Sequence, residues 1–596
     1  MSSNTTKWLI LLAYLSLVAC NDSQPNKQVE KKEDLSYLLA PANNTRQWLT
    51  ITELNSPQLS QPSAYHNGYF MPIGDTEPAI HALNDTLTIS SGELSDLPSR
   101  FDDNSSANRF PEISFHMFSH NGYLVPSYRD IIIPDGQQKQ WRVILSPGKT
   151  WSEPGDEGMS RASFPFALVD RSWNNTLNGI ATFAYDDASV TNLRVQIVQQ
   201  TSAGFLHEGA ATLSMSREAN TSMDIELLAQ QFDNELANLL PTKPWAHLSE
   251  LYPDINFTPF NDGLAPNSIS ASAIWHNNKI YMQACHTQYG EFPYCQFMRH
   301  GIFSATKSAA AALALSHLAQ RYGEEVLAYR VADYIDIEAP HDGWDRVTFV
   351  DLINMAAGIG NHDTDPASTN YHADENQSPM GNWSRATSAS EKISIATQQY
   401  GNFPWQPGEV FRYNTTHTFM LSAAMDSLVR QREGQRLWPW LMAHVYRPIG
   451  IAHLPMMHTT ESDPNLSLPV FGVGLYPTVD EAIKIANLFH NLGQYQGKQL
   501  LHPEVTRNML YRTSEHGFRN VHDVNQYGEG KYHRSFWGTA FGHSNCSVQV
   551  PFMNGYGGNL IGILPNGVIV LRFAEAQNYR TLPMIEVAAQ LAPVCS

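Results

Sequence analysis

One stretch of the chain reads Gly301-Ile302-Phe303-Ser304-Ala305-Thr306-Lys307-Ser308 and runs directly into the alanine-rich residues 309–315. Alanine favours helix, and the stretch predicts a helix that begins near Ser304 and ends at Gly323. Residues three apart lie on one helix face, so the Lys307 amine can reach the Ser304 hydroxyl. A desolvated lysine can activate such an alcohol as a nucleophile. The pattern therefore predicts acyl transfer, although Ser-x-x-Lys alone also occurs on ordinary solvated helices.

The length and charge of the chain limit the classes of protein to consider. With 596 residues it exceeds the size of a single hydrophobic core, so two domains are expected after the N-terminal segment. The formal net charge is -19, which argues against a nucleic-acid-binding surface and against a basic patch for anionic lipid. We expect an acidic folded body without a nucleic-acid partner.

The N-terminus predicts export and lipid anchoring. Residues 1–19 contain one lysine and an apolar run too short to cross a bilayer, which is typical of a signal peptide. Leu17-Val18-Ala19-Cys20 resembles the bacterial lipobox, which implies cleavage before Cys20 and lipidation of its sulfur. An ordinary secretory signal that ends in cysteine is the alternative. Asn21 favours, by the same resemblance, the outer membrane facing the periplasm. The polar residues 20–38 predict a flexible tether.

The remaining cysteines predict disulfides. Export places Cys285, Cys295, Cys546 and Cys595 in an oxidising compartment, and their even number suggests two bonds. We predict Cys285 with Cys295 and Cys546 with Cys595, among three possible connectivities.

Metal binding has little support in the sequence. The chain contains no Cys-x-x-Cys or His-Glu-x-x-His pattern. Residues 361–365, with His372, Asp374 and Glu375, offer possible ligands for a divalent cation, but we interpret them as a solvated loop. We therefore expect no metal.

Residues 39–238 predict an all-β N-terminal module. Runs of β-branched and aromatic residues alternate with turn signals, as at residues 112–118, 141–145, 180–185 and 193–198. Period-two alternation at this spacing is typical of a β-sandwich or a related all-β module. Packing as a scaffold against the second domain and binding of carbohydrate are the alternative roles.

The C-terminal half resembles a known family. Residues 269–283 predict a hairpin, the Ser304 helix follows, and residues 347–359 come next. This order resembles the serine β-lactamase-related superfamily, which includes class C β-lactamases, D-alanyl-D-alanine carboxypeptidases, esterases and aminohexanoate-oligomer hydrolases. Residues 440–451, 472–482 and 496–504 resemble later segments of that family. The resemblance implies a β-lactamase/transpeptidase-like domain at 250–596, with an antiparallel sheet flanked by helices, in an α+β multidomain protein.

A second motif reads Pro407-Gly408-Glu409-Val410-Phe411-Arg412-Tyr413-Asn414-Thr415 and resembles the family's Pro-Gly-x-x-Phe-x-Tyr-x-Asn. The resemblance implies that Tyr413 stands beside Ser304 and relays a proton with Lys307. Aromatic packing is the alternative role of Tyr413. Thr415 replaces the family's asparagine, so a hydroxyl stands where a substrate-binding amide is expected.

The third motif is Asn554-Gly555-Tyr556-Gly557-Gly558-Asn559, where the family carries Lys-Thr-Gly or His-Thr-Gly. By order along the chain, Gly555, Tyr556 and Gly557 take those substrate-binding positions. The resemblance implies an oxyanion hole formed by the N–H groups of Ser304 and Gly558. A glycine-rich strand edge without a ligand is the alternative. Penicillin-recognising members bind the substrate carboxylate through the motif's cation, which Gly555 lacks, and glycine-aromatic-glycine variants resemble esterases and aminohexanoate-oligomer hydrolases.

The sequence therefore predicts a lipid-anchored serine hydrolase that acts on an ester, an amide or a peptide through an acyl-enzyme, without a cofactor. Its catalytic residues are Ser304, Lys307 and Tyr413. The alternative enzyme is a penicillin-recognising carboxypeptidase or β-lactamase. The alternative from another class is an inactive envelope-binding lipoprotein, in which the altered second and third motifs mark lost chemistry.

Overall fold

The computed structural model describes residues 49–56, 64–72, 76–94, 108–134, 140–201, 209–219, 222–287, 289–514, 517–543 and 546–594. The predicted signal peptide, Cys20, the tether and Cys595 lie outside the described residues. Within the described ranges, no helix combines the length and the apolar character needed to span a membrane. Two large sheets, one in each half of the chain, organise the structure.

The N-terminal sheet is built from ten antiparallel strands in the described residues, with the spatial order β11-β10-β9-β8-β7-β5-β4-β1-β12 and β6 paired to β8. The strands of this half, including the short pair β2 and β3, are β1 Asn84–Ile89, β2 Gly92–Glu93, β3 Arg109–Phe110, β4 Ile113–His120, β5 Tyr123–Pro126, β6 Trp141–Leu145, β7 Gly148–Trp151, β8 Ser160–Asp170, β9 Thr176–Tyr185, β10 Leu193–Gln200, β11 Gly209–Leu213 and β12 Met215–Ala219.

This sheet returns on itself. Its two outermost strands, β11 and β12, are consecutive in the chain and are separated only by Ser214. The enclosed side chains are apolar and include Leu87, Met117, Phe164 and Phe183. They recur at every second residue, as a pleated strand with one face toward the core requires. The predicted β-rich N-terminal region is confirmed, but it is one curled sheet instead of a two-sheet sandwich.

The C-terminal sheet has nine strands in the order β13-β15-β14-β25-β24-β23-β22-β21-β20. The strands of this half, including two short pairs, are β13 Thr242–Pro244, β14 Ile269–His276, β15 Lys279–Met282, β16 His286–Thr287, β17 Gly290–Glu291, β18 Gln494–Tyr495, β19 Lys498–Gln499, β20 Phe518–Asn525, β21 Gly528–His533, β22 Phe536–His543, β23 Cys546–Gly555, β24 Asn559–Ile563 and β25 Ile569–Ala574. All its pairings are antiparallel except β13 with β15. The predicted hairpin is β14 with β15, and its turn residues Asn277 and Asn278 take the left-handed φ values of 49° and 58°.

Helices cover both faces of the C-terminal sheet. The α-helices of the chain are α1 Ile51–Asn55, α2 Ile225–Ala237, α3 Trp245–Leu251, α4 Leu313–Tyr322, α5 Phe349–Ile353, α6 Ser378–Arg385, α7 Ala389–Gln398, α8 Thr415–Glu433, α9 Leu437–Leu441, α10 Val479–His490, α11 Pro503–Met509 and α12 Leu582–Leu591. Leu560 of β24 faces the apolar cluster that contains α3 and α12, whereas its neighbour Ile561 faces the cluster that contains α4, α8 and α10. The α+β fold predicted for this region, with helices flanking an antiparallel sheet, is confirmed.

Two local predictions concern the nucleophile helix and the disulfides. A π-helical segment, Lys307–Ala312, leads into α4, and Gly323 ends the helix at φ 97° with its N–H donating to the Ala319 carbonyl. Cys285 and Cys295 form a disulfide, as predicted. Cys546 is also disulfide-bonded, and its predicted partner lies outside the described residues.

Candidate active site

Lys307 lies at the centre of a hydrogen-bonded cluster around Ser304. Its Nζ is 2.9 Å from Ser304 Oγ, 3.0 Å from Thr415 Oγ1 and 2.6 Å from the Gly472 carbonyl oxygen. A neutral amine has two N–H donors and one lone pair. If Thr415 and Gly472 accept the two N–H bonds, the lone pair is left for the Ser304 hydroxyl. The geometry suits removal of a proton from Ser304 by an uncharged Lys307.

The protonation states of the cluster follow from its burial. Lys307 is 1% exposed, and this burial lowers the pKa of its amine, an effect that the Glu375 carboxylate opposes. Burial raises the pKa of Tyr413 well above 10, so its hydroxyl is protonated near neutral pH. The Ser304 side chain partly opposes this rise in the Tyr413 pKa, and the Tyr413 ring centroid is 5.1 Å from Lys307 Nζ. Lys307 is therefore the better base, and Tyr413 can donate as a phenol.

Glu375 belongs to this cluster, although the sequence interpretation assigned it to a solvated loop. One carboxylate oxygen accepts the Thr415 N–H, and the other accepts the Thr415 hydroxyl at 3.1 Å. Thr415 thus joins Lys307 to Glu375. The solvated-loop interpretation is wrong here and at Asp374, which is 2% exposed and accepts the N–H groups of Asn361 and His362. Glu375 lies 40 residues before Thr415, and no local pattern connects them.

Asn414, displaced by one position from the family's asparagine, has a structural role. It is the N-cap of α8, and its side-chain oxygen accepts the Thr416 N–H at 3.0 Å and the Thr416 hydroxyl at 2.7 Å. Thr415, by contrast, lines the cavity beside Ser304. The amide is therefore committed to the helix cap and the hydroxyl to the catalytic cluster.

The end of β23 lies directly against the nucleophile. The last pair between β22 and β23 is Trp537 with Phe552, so Met553–Gly555 extends beyond β22 toward Ser304. A Cβ atom on Gly555 would lie 1.9 Å from the Ile302 carbonyl oxygen. Any other residue would carry a Cβ atom that blocks this approach, so the contact requires glycine at position 555.

The structure corrects two assignments in the third motif. Gly555 and Tyr556 line the cavity of Ser304, but Gly557 and Gly558 do not. The Gly558 N–H donates to the Gly555 carbonyl at 3.2 Å, and the Gly557 N–H donates to the Tyr579 hydroxyl at 3.3 Å. Both groups are used in the turn that follows β23, so the prediction of Gly558 as an oxyanion donor is wrong. Order along the chain alone could not locate where this turn begins.

The cavity beside Ser304 has a volume of about 1110 Å³ and is lined by both aromatic and polar side chains. Its aromatic walls include Trp173, Phe303, Tyr371, His372, Trp537 and Tyr556. Burial lowers the pKa of His372 to about 4, so its ring is neutral at pH 7 and packs 4.9 Å from the Tyr413 ring. The cavity is large enough for a substrate with bulky groups on both sides of the attacked carbonyl.

Residues 270–467 match the family model described as Beta-lactamase. This segment belongs to the serine β-lactamase-related superfamily. It contains Ser304, Lys307, Glu375, Tyr413 and Thr415, whereas β23 lies beyond its end. The matched segment makes up about a third of the chain. No curated protein matches the chain in a corresponding comparison.

Several solved structures resemble part of the chain. A penicillin-binding protein homologue from Caulobacter crescentus has 16% identity over 58% of this chain and 97% of its own, with a TM-score of 0.39. A D-stereospecific amidohydrolase from Streptomyces sp. has 11% identity over 55% and 96%, with a TM-score of 0.38. A family VIII carboxylesterase has 14% identity over 56% and 97%, with a TM-score of 0.40.

Replacement of Glu375 by Gln is predicted to move the acid limb of the pH-activity profile to lower pH. Lys307 acts as a base only when neutral, so activity falls as the pH drops through its pKa. Burial raises the pKa of Glu375, whereas the Lys307 charge and two hydrogen bonds from Thr415 favour its ionised form, and the ionised carboxylate raises the Lys307 pKa. Loss of that charge lowers the Lys307 pKa further. The measurement is kcat/KM against pH for a chromogenic ester, with the exposed Glu504→Gln as control. A limb that stays in place or moves to higher pH would contradict this arrangement.

Gly555→Ala is predicted to slow acylation of Ser304 by about 10²-fold, because the new methyl group forces β23 away from the nucleophile by an ångström or more. The matched control is Gly381→Ala on α6, where a Cβ atom comes no closer than 3.6 Å to Arg385. The rate of covalent labelling by a fluorophosphonate measures the effect. Equal rates for both variants would show that the close contact at Gly555 is dispensable.

Proposed function

We propose that the protein hydrolyses an ester or an amide at the cell envelope through an acyl-enzyme on Ser304. The observation that carries the proposal is the contact of Lys307 Nζ with Ser304 Oγ inside a buried cluster with Tyr413. Ser304 Oγ attacks the carbonyl carbon while Lys307 takes its proton. The proton then passes, with the help of the Tyr413 hydroxyl, to the leaving group as the bond to that group breaks. Water attacks the acyl-enzyme, releases the acid and restores the Ser304 hydroxyl.

The backbone N–H groups of Ser304 and Tyr556 are the proposed oxyanion donors. Tyr556 directly follows Gly555, whose backbone lies against residues 302–305, and its ring is 5.6 Å from that of Phe303. Both residues line the cavity. Two N–H groups that converge from opposite sides would stabilise the charge that develops on the carbonyl oxygen.

The charge of the cavity favours an uncharged substrate over a penicillin or a peptide with a terminal carboxylate. Among the described lining residues, the acidic side chains are Glu375, Asp523 and Glu586. The one Arg or Lys side chain in that set is Arg580, which pairs with Asp262 at 3.1 Å. Met553 and Asn554 precede Gly555 and supply no cation. The described lining therefore offers a substrate carboxylate no unpaired Arg or Lys, which supports an esterase or amidase.

Anchoring at the envelope is proposed from the sequence of residues 1–20 alone. Lipidation of Cys20 would place the hydrolase on the periplasmic face of the outer membrane, with the lipid as its membrane contact. Incorporation of a labelled fatty acid into wild type, and its loss in Cys20→Ser, is the expected result. Equal labelling of both proteins would exclude Cys20 as the site.

A small fluorophosphonate is predicted to label the wild-type protein once, and Ser304→Ala is predicted to lose this labelling together with at least ~10³ of its kcat on a chromogenic ester. Intact-mass measurement detects the adduct. Ser390→Ala, an exposed serine on α7, serves as the control and should react normally. Labelling by a fluorescent penicillin would instead favour the carboxypeptidase or β-lactamase alternative. Wild type and Ser304→Ala that are equally unreactive would favour the inactive binding protein.

A further inference from the structure

The connection between β8 and β9 reaches from the N-terminal sheet to the cavity of Ser304. We call residues 171–175 the bridging loop and residues 299–303, which precede the nucleophile, the nucleophile loop. Trp173 and Asn175 of the bridging loop line the same cavity as Ser304 and Tyr413. The bridging loop lies outside the segment that matches the family model.

We propose that the bridging loop completes the active site: Asn174 positions the nucleophile loop, and Trp173 forms an apolar wall that selects bulky substrates. This inference rests on the proposed function of Ser304.

Asn174 holds the residue before the nucleophile. The Phe303 N–H donates to Asn174 Oδ1 at 2.6 Å, and Asn174 is fully buried. Phe303 has a φ of 47°, a left-handed backbone conformation that residues other than glycine rarely adopt. Such a conformation persists only where neighbouring contacts hold it. Since Phe303 is bonded directly to Ser304, its backbone conformation sets the direction of the nucleophile.

Two further contacts tie the nucleophile loop to the N-terminal sheet. The Gly301 N–H donates to Thr201 Oγ1 at 3.2 Å, and Asn178 Nδ2 donates to the Arg299 carbonyl at 2.9 Å. A Cβ atom on Gly301 would lie 1.9 Å from the Asn174 carbonyl oxygen, so the two backbones touch. Residues 299, 301 and 303 are thus each held by a side chain of the N-terminal half. The position of Ser304 depends on that half as well as on its own helix.

Hydrogen bonds to the Asp170 side chain hold the conformation of the bridging loop. The Asp170 carboxylate accepts the N–H of Ser172 at 2.8 Å and of Trp173 at 2.5 Å, and it also accepts from the Asn175 amide. Burial raises the pKa of Asp170 to about 6, against the effect of these donors. Trp173 packs against the apolar cluster that contains Val169 of β8 and Val473, which adjoins the Lys307 acceptor Gly472. The Trp173 side chain is therefore fixed between the two halves of the chain at the edge of the cavity.

These contacts assign a substrate class. The Trp173 indole forms a broad apolar surface in the wall of the cavity, and an acetyl group is too small to cover it. A bulky apolar or aromatic group on the ester or amide can bury its surface against it. We therefore expect the selectivity for bulky over small acyl esters to depend on Trp173, and the reactivity of Ser304 toward all substrates to depend on Asn174.

The test compares four variants of the full chain: Trp173→Ala, Asn174→Ala, Asn174→Asp and the control Arg171→Ala, whose side chain lies on the same loop but does not line the cavity. For each, the labelling rate with a small fluorophosphonate is measured, together with kcat and KM for p-nitrophenyl acetate and p-nitrophenyl phenylacetate. Trp173→Ala should lower the ratio of kcat/KM for the phenylacetate to kcat/KM for the acetate by about 10-fold, mainly through a higher KM for the phenylacetate.

Asn174→Ala should label about 10-fold more slowly and lose kcat for both esters, with KM little changed. Asn174→Asp keeps an oxygen that can accept the Phe303 N–H and should therefore recover the labelling rate. Such a recovery would assign the defect of Asn174→Ala to the lost hydrogen bond. Unchanged selectivity in Trp173→Ala together with wild-type labelling in Asn174→Ala would overturn this inference and leave the proposed function intact. A wild-type protein that no fluorophosphonate labels would overturn both.

Discussion

The proposed chemistry of this protein depends on one buried amine. Lys307 has lost almost all contact with water, and a fixed set of oxygen atoms from Ser304, Thr415 and Gly472 surrounds it. Burial alone would favour the neutral amine. The Glu375 carboxylate, which is hydrogen-bonded to Thr415, favours the protonated form. The balance between these two effects keeps the amine close to the point at which it can accept and return a proton. Tyr413, whose pKa burial raises, contributes a hydroxyl that stays protonated.

The same cluster explains how the altered second motif can remain compatible with chemistry. The family's asparagine is replaced at Thr415, and the displaced Asn414 caps α8. The hydroxyl of Thr415 has two roles in place of the amide, because it accepts from Lys307 and donates to Glu375. Thr415 and Glu375 together form a substitute for the missing residue.

Sequence patterns predicted the parts of the site that are local in the chain. Ser304 and Lys307 lie three residues apart at the start of one helix, and Tyr413 lies in a motif of nine residues, so the order of residues was sufficient for them. Glu375 and Trp173 could not be predicted, because they approach Ser304 only through tertiary packing. The error at Gly558 has a related cause, since the strand and the turn after it contain the same residue types and only the contact of Gly555 with Ile302 distinguishes them. For the fold, alternation predicted the strands of the N-terminal half but not the closure of one sheet at Ser214.

The central claim is that Lys307 is uncharged over the pH range in which Ser304 reacts, and a direct titration of this amine tests it. Lysine side chains can be labelled with ¹³C and followed by NMR against pH, with the Lys307 signal assigned by its loss in Lys307→Met. The account predicts a midpoint far below the ordinary lysine value of about 10.4. A Lys307 signal that titrates at or above that ordinary value would contradict it, because a permanently charged amine cannot take the proton of Ser304.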